Sequence, residues 1–277
     1  MKADRLSADQ VAWVCAQYRD GYSTYDIGDQ LGRSGENIRQ YLKQANIERR
    51  DRSTCQRRYT LNENFFDVIE TEQQAYWLGF LAADASVQPQ RHGLFVNLNP
   101  KDADHLQELA KALGSDFPLY YYPSHNEKYQ SVRFTATSER LITALGRYGV
   151  TKCKTFTLQW PHLPQDLYPH FTRGYFDGDG CFVINSGHIN FKITGNESFI
   201  VSLQGYLISR CGLRLTKTPR PNSKSPVCYL SYHGNRQVIR IANLLYQNAT
   251  IYLSRKRILV LKHYQSISSY KDKIQFG

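Results

Sequence analysis

A chain of 277 residues with 41% apolar side chains can bury a core of its own. Its six cysteines stand singly at positions 15, 55, 153, 181, 211 and 228, with no CxxC pair or Cys/His cluster at zinc spacing, so a disulfide scaffold and a zinc finger are both excluded and a reducing compartment is expected. A net charge of +11 suits a polyanionic partner, while the polar start MKADRLSADQ and the lack of a long apolar run argue against a leader or a membrane span, so a soluble cytoplasmic protein is expected.

Residues 1–47 are expected to form a small helical unit. Ser7 can cap a helix whose stripe is Val11, Val14, Cys15 and Tyr18, ended by Gly21. A second helix over 24–31 buries Ile27 and Leu31, and Gly32 supplies the turn. Ser34 then caps a third helix carrying Ile38, Tyr41 and Leu42, which leaves Gly35, Glu36, Asn37, Arg39 and Gln40 for its open side. This stretch, DGYSTYDIGDQLGRSGENIRQYLKQANI, resembles the helix-turn-helix of recombinases and many bacterial regulators, which place the last helix in the major groove. A three-helix packing unit without a ligand would show the same stripe.

Residues 48–60 follow as a basic linker, with Arg49, Arg50, Arg52, Arg57 and Arg58 in a segment that has no apolar period. Such a segment can lie along phosphates or simply be solvated.

The remainder repeats itself. TEQQAYWLGFLAADA at 71–85 aligns with the YPHFTRGYFDGDG stretch at 168–180, and matching Gly79 to Gly174 also matches Asp84 to Asp179, since 179 − 84 = 95. After the first motif the pattern predicts strands at 94–99, 119–122 and 129–135 and helices at 103–113 and 139–148. After the second it predicts strands at 181–184, 189–194, 213–218 and 227–232 and helices at 197–209 and 236–245. The expected fold is α+β, with two αββαββα halves at 61–165 and 166–277 forming a pseudo-two-fold pair of antiparallel sheets.

The strands alternate. His188, Asn190, Lys192 and Thr194 face away from Ile189, Phe191 and Ile193. Asn97 and Asn99 oppose Leu94, Val96 and Leu98, Arg133 opposes Val132 and Phe134, and Arg214 and Thr216 continue the set. Amide, hydroxyl and cationic groups are the ones that meet base edges in the major groove.

Each motif helix carries small residues four apart, Gly79 and Ala83 in the first and Gly174 and Gly178 in the second, so the two helices can pack closely. Their ends would bring Asp84 and Asp179 together. Paired carboxylates repel unless divalent cations lie between them, and oxygen-only donors suit Mg²⁺, with Mn²⁺ or Ca²⁺ able to substitute for binding. The eight histidines are scattered and form no metal cluster.

WLGFLAADA at 77–85 and TRGYFDGDG at 172–180 resemble the paired signatures of LAGLIDADG homing endonucleases, over roughly residues 61–261. The resemblance implies a monomeric, two-motif, Mg²⁺-dependent enzyme that cuts both strands of a long double-stranded DNA site, leaves short 3′ overhangs, and takes part in intron homing in bacteria, phages or organelles. It also implies metal ligation by Asp84 and Asp179, with the backbone at Ala83 and Gly178, and catalytic lysines within YGVTKCKT and ATIYLSRKR. These roles are carried to Lys154, with Lys152 as the competing choice, and to Lys256.

The first motif departs from the pattern, with Ala82 in place of an acid and Ala85 in place of the terminal glycine. If that glycine needs a positive φ, alanine would disfavour the junction and slow cleavage of one strand. Two other readings use the same fold: a DNA-binding regulator that has lost cleavage, and an intron RNA maturase. An acid retained at both motif ends favours the nuclease.

Overall fold

The computed structural model describes residues 5–48, 59–122, 130–214 and 227–276. The chain divides into two compact units, residues 1–58 and 59–277. Arg49, Arg50, Arg52, Arg57, Arg58 and Thr216 lie outside the described residues.

The first unit contains α1 (Ala8–Arg19), α2 (Thr24–Leu31) and α3 (Gly35–Gln44). Their starts follow from local hydrogen bonding. Ser7 and Gln10 cap one another reciprocally, Ser23 and Asp26 do the same, and Ser34 accepts from the Asn37 amide. Val14, Cys15, Tyr18, Ile27, Ile38 and Leu42 close a separate small core. One expectation fails here: Gly35 is buried rather than open, because a Cβ at this position would sit 3.1 Å from the Tyr25 ring.

The second unit is a duplicated α+β structure. Its first half runs α4 (Glu72–Asp84), β1 (Ala85–Gln88), β2 (Gly93–Leu98), α5 (Ala103–Ala112), β3 (Tyr120–Tyr122), β4 (Ser131–Thr137), α6 (Glu139–Arg147) and the single turn α7 (Lys154–Thr157). Its second half runs α8 (Tyr168–Asp179), β5 (Gly180–Asn185), β6 (His188–Asn196), α9 (Glu197–Cys211), β7 (Val227–His233), α10 (Asn235–Tyr246) and α11 (Ser254–Gln265). The sheets are antiparallel, ordered β1-β2-β4-β3 and, among the described residues, β5-β6-β7.

Three details differ from the sequence expectation. Strand β1 grows directly out of the first motif, ahead of the first strand expected at 94–99, because Ala85 and Val87 are buried and pair with Val96 and Leu94. Asn99 lies beyond β2, and its side chain accepts from the Lys101 amide as the cap of a 3₁₀ turn. Leu213 and Arg214 are not in a strand, and the rest of that expected strand lies outside the described residues.

The halves share one hydrophobic core, with α4 and α8 at its centre. Gly79 and Gly174 set the separation of these helices. A Cβ on Gly79 would lie 2.1 Å from the Phe171 carbonyl, and one on Gly174 would lie 1.9 Å from the Tyr76 carbonyl. The helices therefore meet backbone to backbone. The contact is reciprocal under the 95-residue offset, as a pseudo-two-fold axis requires, since 171 − 76 = 95.

Candidate active site and nucleic-acid face

Because α4 and α8 touch along their glycines, their C-terminal ends arrive side by side. A Cβ on Gly178 would lie 2.3 Å from the Ala83 Cβ and 3.1 Å from Asp84 Oδ2, so the first carboxylate rests against the backbone of the second motif. Asp84 is half-buried and Asp179 exposed. Burial pushes Asp84 up to about 6, the charge of Asp179 adds to the rise, and Lys256, Lys154 and Arg255 oppose it. Asp179 is also raised, by partial desolvation of its carboxyl, while Lys154, Lys256 and the Tyr175 hydroxyl oppose the shift.

The two lysines occupy matching places. Lys154 Nζ donates to the carbonyls of Ala83 at 2.8 Å and Ala85 at 2.6 Å. Lys256 Nζ donates to Phe176 at 2.8 Å, Asp177 at 2.6 Å and Gly180 at 2.6 Å, with Gly178 at 3.5 Å. Ala85 corresponds to Gly180, so each ammonium holds the carbonyl just past its own motif helix, while Lys154 adds Ala83 and Lys256 adds Phe176 and Asp177. A cation there offsets the negative end of the helix and satisfies carbonyls that have no helical partner. Burial lowers both lysines, Lys256 to about 8. Lys152, by contrast, is exposed.

Lys256 is the more fully engaged of the two. An ammonium has three N–H donors, and the three short bonds of Lys256 use them all. All three point at backbone carbonyls at the end of α8. The Ala83 carbonyl, expected to be a metal ligand, is likewise engaged by Lys154, although a carbonyl oxygen keeps a second lone pair.

The expectation about Ala85 is corrected. Ala85 has φ −74° and Gly180 has φ −105°, so both are extended and neither needs glycine's left-handed range. Glycine stands at 180 for space, since a Cβ would lie 2.1 Å from the Phe176 ring. Leu81 takes the place of that ring in the first half, by the same 95-residue offset.

A divalent cation fits this donor set. Two carboxylates made costly by burial and mutual repulsion stand beside carbonyl oxygens, and all of the donors are oxygen. Among the described residues no three His, Cys, Asp or Glu side chains cluster, so an ion here would keep water or phosphate in its shell.

Several residues around the site carry no obvious signal in the sequence. Asp177 is fully buried and accepts from Tyr76 Oη at 2.8 Å and from the Leu253 amide at 2.7 Å, tying the second motif to the start of α11. Tyr76 also contacts His105 Nε2 at 2.9 Å, and His105 reaches Glu108 at 3.2 Å. Arg173 has no exposure and donates to the carbonyls of Ile251 and Leu245 and to Glu72 at 2.6 Å. Tyr175 Oη donates to the Thr194 carbonyl at 2.9 Å. Arg255 pairs with Asp102. The position of Asp177 two residues before Asp179, and the cluster SRKR around Lys256, were the available hints.

On the sheet faces, Arg133 Nε donates to Asn97 Oδ1 at 2.7 Å and its NH1 to Tyr122 Oη. Its guanidinium lies 4.5 Å from the Tyr122 ring centroid and 5.7 Å from that of Phe95. In the second sheet His188 and Lys192 are exposed, and His233 Nδ1 donates to Asn190 Oδ1 at 2.8 Å. Arg214 is exposed next to that sheet, with its amide on Gln237 Oε1. In the N-terminal unit Glu36 and Arg39 pair with each other, Arg39 also stacks on Tyr25, and Gln40 is exposed. No helix among the described residues is long and apolar enough to cross a membrane.

Fold and site together define a duplicated α+β module whose paired motif helices present two carboxylates between polar sheets. No protein-family model matches the chain, and no curated protein does. Among solved structures, the chain is similar to the I-SmaMI LAGLIDADG homing endonuclease bound to cleaved DNA, at 14% identity and a TM-score of 0.42, covering 74% of this chain and 95% of that one. It is similar to I-SmaMI bound to uncleaved DNA target in the presence of calcium ions, at 14% identity and a TM-score of 0.43, covering 74% and 97%. It is also similar to the I-LtrWI LAGLIDADG homing endonuclease bound to target DNA, at 12% identity and a TM-score of 0.43, covering 77% and 96%.

Proposed function

We propose that this chain is a monomeric, site-specific endonuclease of the LAGLIDADG homing type, which hydrolyses a phosphodiester in each strand of a long double-stranded DNA target and leaves short 3′ overhangs. The observation that carries this reading is the pair Asp84 and Asp179, set at the ends of two directly packed motif helices, each helix end held by its own buried lysine. Such an arrangement maintains a repulsive carboxylate pair, and an ion-free structure has no use for one.

In this reading Asp84 and Asp179, with the carbonyl oxygens of Ala83 and Gly178, hold Mg²⁺, and Mn²⁺ or Ca²⁺ can occupy the same donors. A bound divalent ion supplies an acidified water and neutralises charge on the phosphoryl oxygens. Water adds to phosphorus, the P–O3′ bond breaks, and a proton ends on the departing O3′. Lys154 and Lys256 fix the backbone from which both carboxylates project. Asn97, Arg133, His188, Asn190, Lys192 and Arg214 face the bases or phosphates of the groove. Residues 1–47 add a second contact through α3, with Ser34, Asn37, Arg39 and Gln40 toward DNA, and 48–60 connect it to the nuclease body.

The test is cleavage of a randomised duplex library in Mg²⁺. The expected result is discrete breaks with wild-type protein and none with Asp84→Asn or Asp179→Asn, both of which still bind the recovered duplex. Breaks that persist in both variants would remove the assignment. A footprint without any break, in wild type, would favour the regulator. Deleting residues 1–58 is expected to shorten the footprint, and an unchanged footprint would reduce that unit to a packing appendage.

A further inference from the structure

Lys256 has spent its three donors on carbonyls and Lys154 two of its three, so this pair keeps a single N–H for a scissile phosphate and a further cation would add to it. A cavity of about 810 Å³ opens beside Asp84, with Gly178, Asn97, Ser131 and Arg255 in its wall. That volume suits a sugar-phosphate unit. Arg255 lies in the first turn of α11, immediately before Lys256, and its side chain is 59% exposed. Asp102, from the other half of the repeat, accepts from its Nε at 3.0 Å and from its NH2 at 3.1 Å. This two-point grip fixes the guanidinium plane, and no bond from NH1 is formed among the described residues. On the opposite side, the residue before Lys154 is Cys153, which is exposed and carries no permanent charge.

We infer that Arg255 is a catalytic cation that contacts the scissile phosphate on the Asp84 side only, with Asp102 as its positioning residue, so that the two strands are cut at unequal rates. The inference rests on the nuclease reading above. The competing explanation is a surface ion pair that ties the halves together. Such a pair would influence folding, and loss of folded protein lowers cleavage of both strands by the same factor.

The ratio of the two strand rates separates these accounts. A duplex recovered by cleavage selection is labelled differently on each strand and cut under single-turnover conditions by wild type, Arg255→Met, Arg255→Lys and Asp102→Asn. Arg255→Met is expected to slow one strand about 100-fold relative to the other, as loss of one transition-state donor does, with nicked duplex accumulating. Arg255→Lys recovers part of that loss, and Asp102→Asn gives a smaller change in the same ratio. If wild type cuts the duplex and Arg255→Met leaves the ratio unchanged, this inference is wrong and the nuclease reading stands. If wild type cuts no duplex, the nuclease reading is wrong and the inference goes with it.

Discussion

The two halves of residues 59–277 are alike where they touch and unlike almost everywhere else near the site. Gly79 and Gly174 make the same backbone contact, and Lys154 and Lys256 hold the corresponding carbonyls of Ala85 and Gly180. One position away, the halves diverge. Leu78 stands opposite Arg173, Phe80 opposite Tyr175 and Ala82 opposite Asp177 in the 95-residue alignment. The difference teaches which constraints belong to symmetry and which to load. Contact across an axis must be matched on both sides, whereas a polar anchor is needed once if both helices are packed together. The second half carries those anchors, and the first meets them with Glu72 and the Tyr76 hydroxyl.

The largest effect is expected where the halves match. Gly174→Val would place side-chain carbons into the Tyr76 carbonyl, at a spot where an ideal Cβ is already at 1.9 Å. Backbone cannot move aside as a flexible side chain does, so a loss on the order of 5 kcal/mol is expected, enough to abolish the fold. Gly79→Val should do the same. Circular dichroism melting of both variants checks the symmetry: a folded Gly79→Val beside an unfolded Gly174→Val would break it.

The next effect is one-sided. Arg173 is wholly buried between Glu72 and the carbonyls of Leu245 and Ile251, and burial lowers its pKa. Arg173→Met fits the space but leaves Glu72 and both carbonyls without that donor, at a cost of about 3 kcal/mol. Leu78→Met in the matching place removes no hydrogen bond and should cost under about 1.5 kcal/mol. Equal denaturant midpoints for the two variants would show that the second half does not carry the anchor.

How much of this was legible in the sequence follows from the same division. The duplicated motif announces itself because close helix packing forces small residues at fixed spacing, so Gly79, Gly174, Asp84 and Asp179 could be picked out and the order of most elements followed. Alternation gave the faces of β2, β4 and β6 because one face is buried. Residues whose importance comes from long-range partners were invisible. Asp177 meets Tyr76 101 residues away, and Arg255 meets Asp102 153 residues away. No local pattern encodes such a pairing. The start of β1 was hidden for another reason: ASVQ is short and follows the motif without a turn, and its register comes from pairing with β2. The carbonyls that Lys256 holds were hidden too, since only geometry shows where an ammonium's three donors go.

The smallest effect concerns the two acids and distinguishes their settings. Asp84 is raised from 3.8 to about 6, chiefly by burial and then by the charge of Asp179. Its folded form holds a proton more tightly than its unfolded form does. The stability this contributes to the metal-free protein is therefore complete below the unfolded value and is lost as pH rises through about 6. Melting in chelator should accordingly give a wild-type Tm that falls between about pH 5 and about pH 7 by a few degrees, at roughly 2–4 °C per kcal/mol for a domain of this size. Asp84→Asn should remove most of that fall and raise the Tm at the upper pH. Asp179→Asn should remove less, because Asp179 is more exposed and lies beside the Tyr175 hydroxyl. Adding Mg²⁺ at the upper pH should raise the wild-type Tm and leave that of Asp84→Asn nearly still, since the ion binds the ionised pair. If Asp84→Asn kept the wild-type slope with pH, the strain assigned to the paired carboxylates would belong to another group.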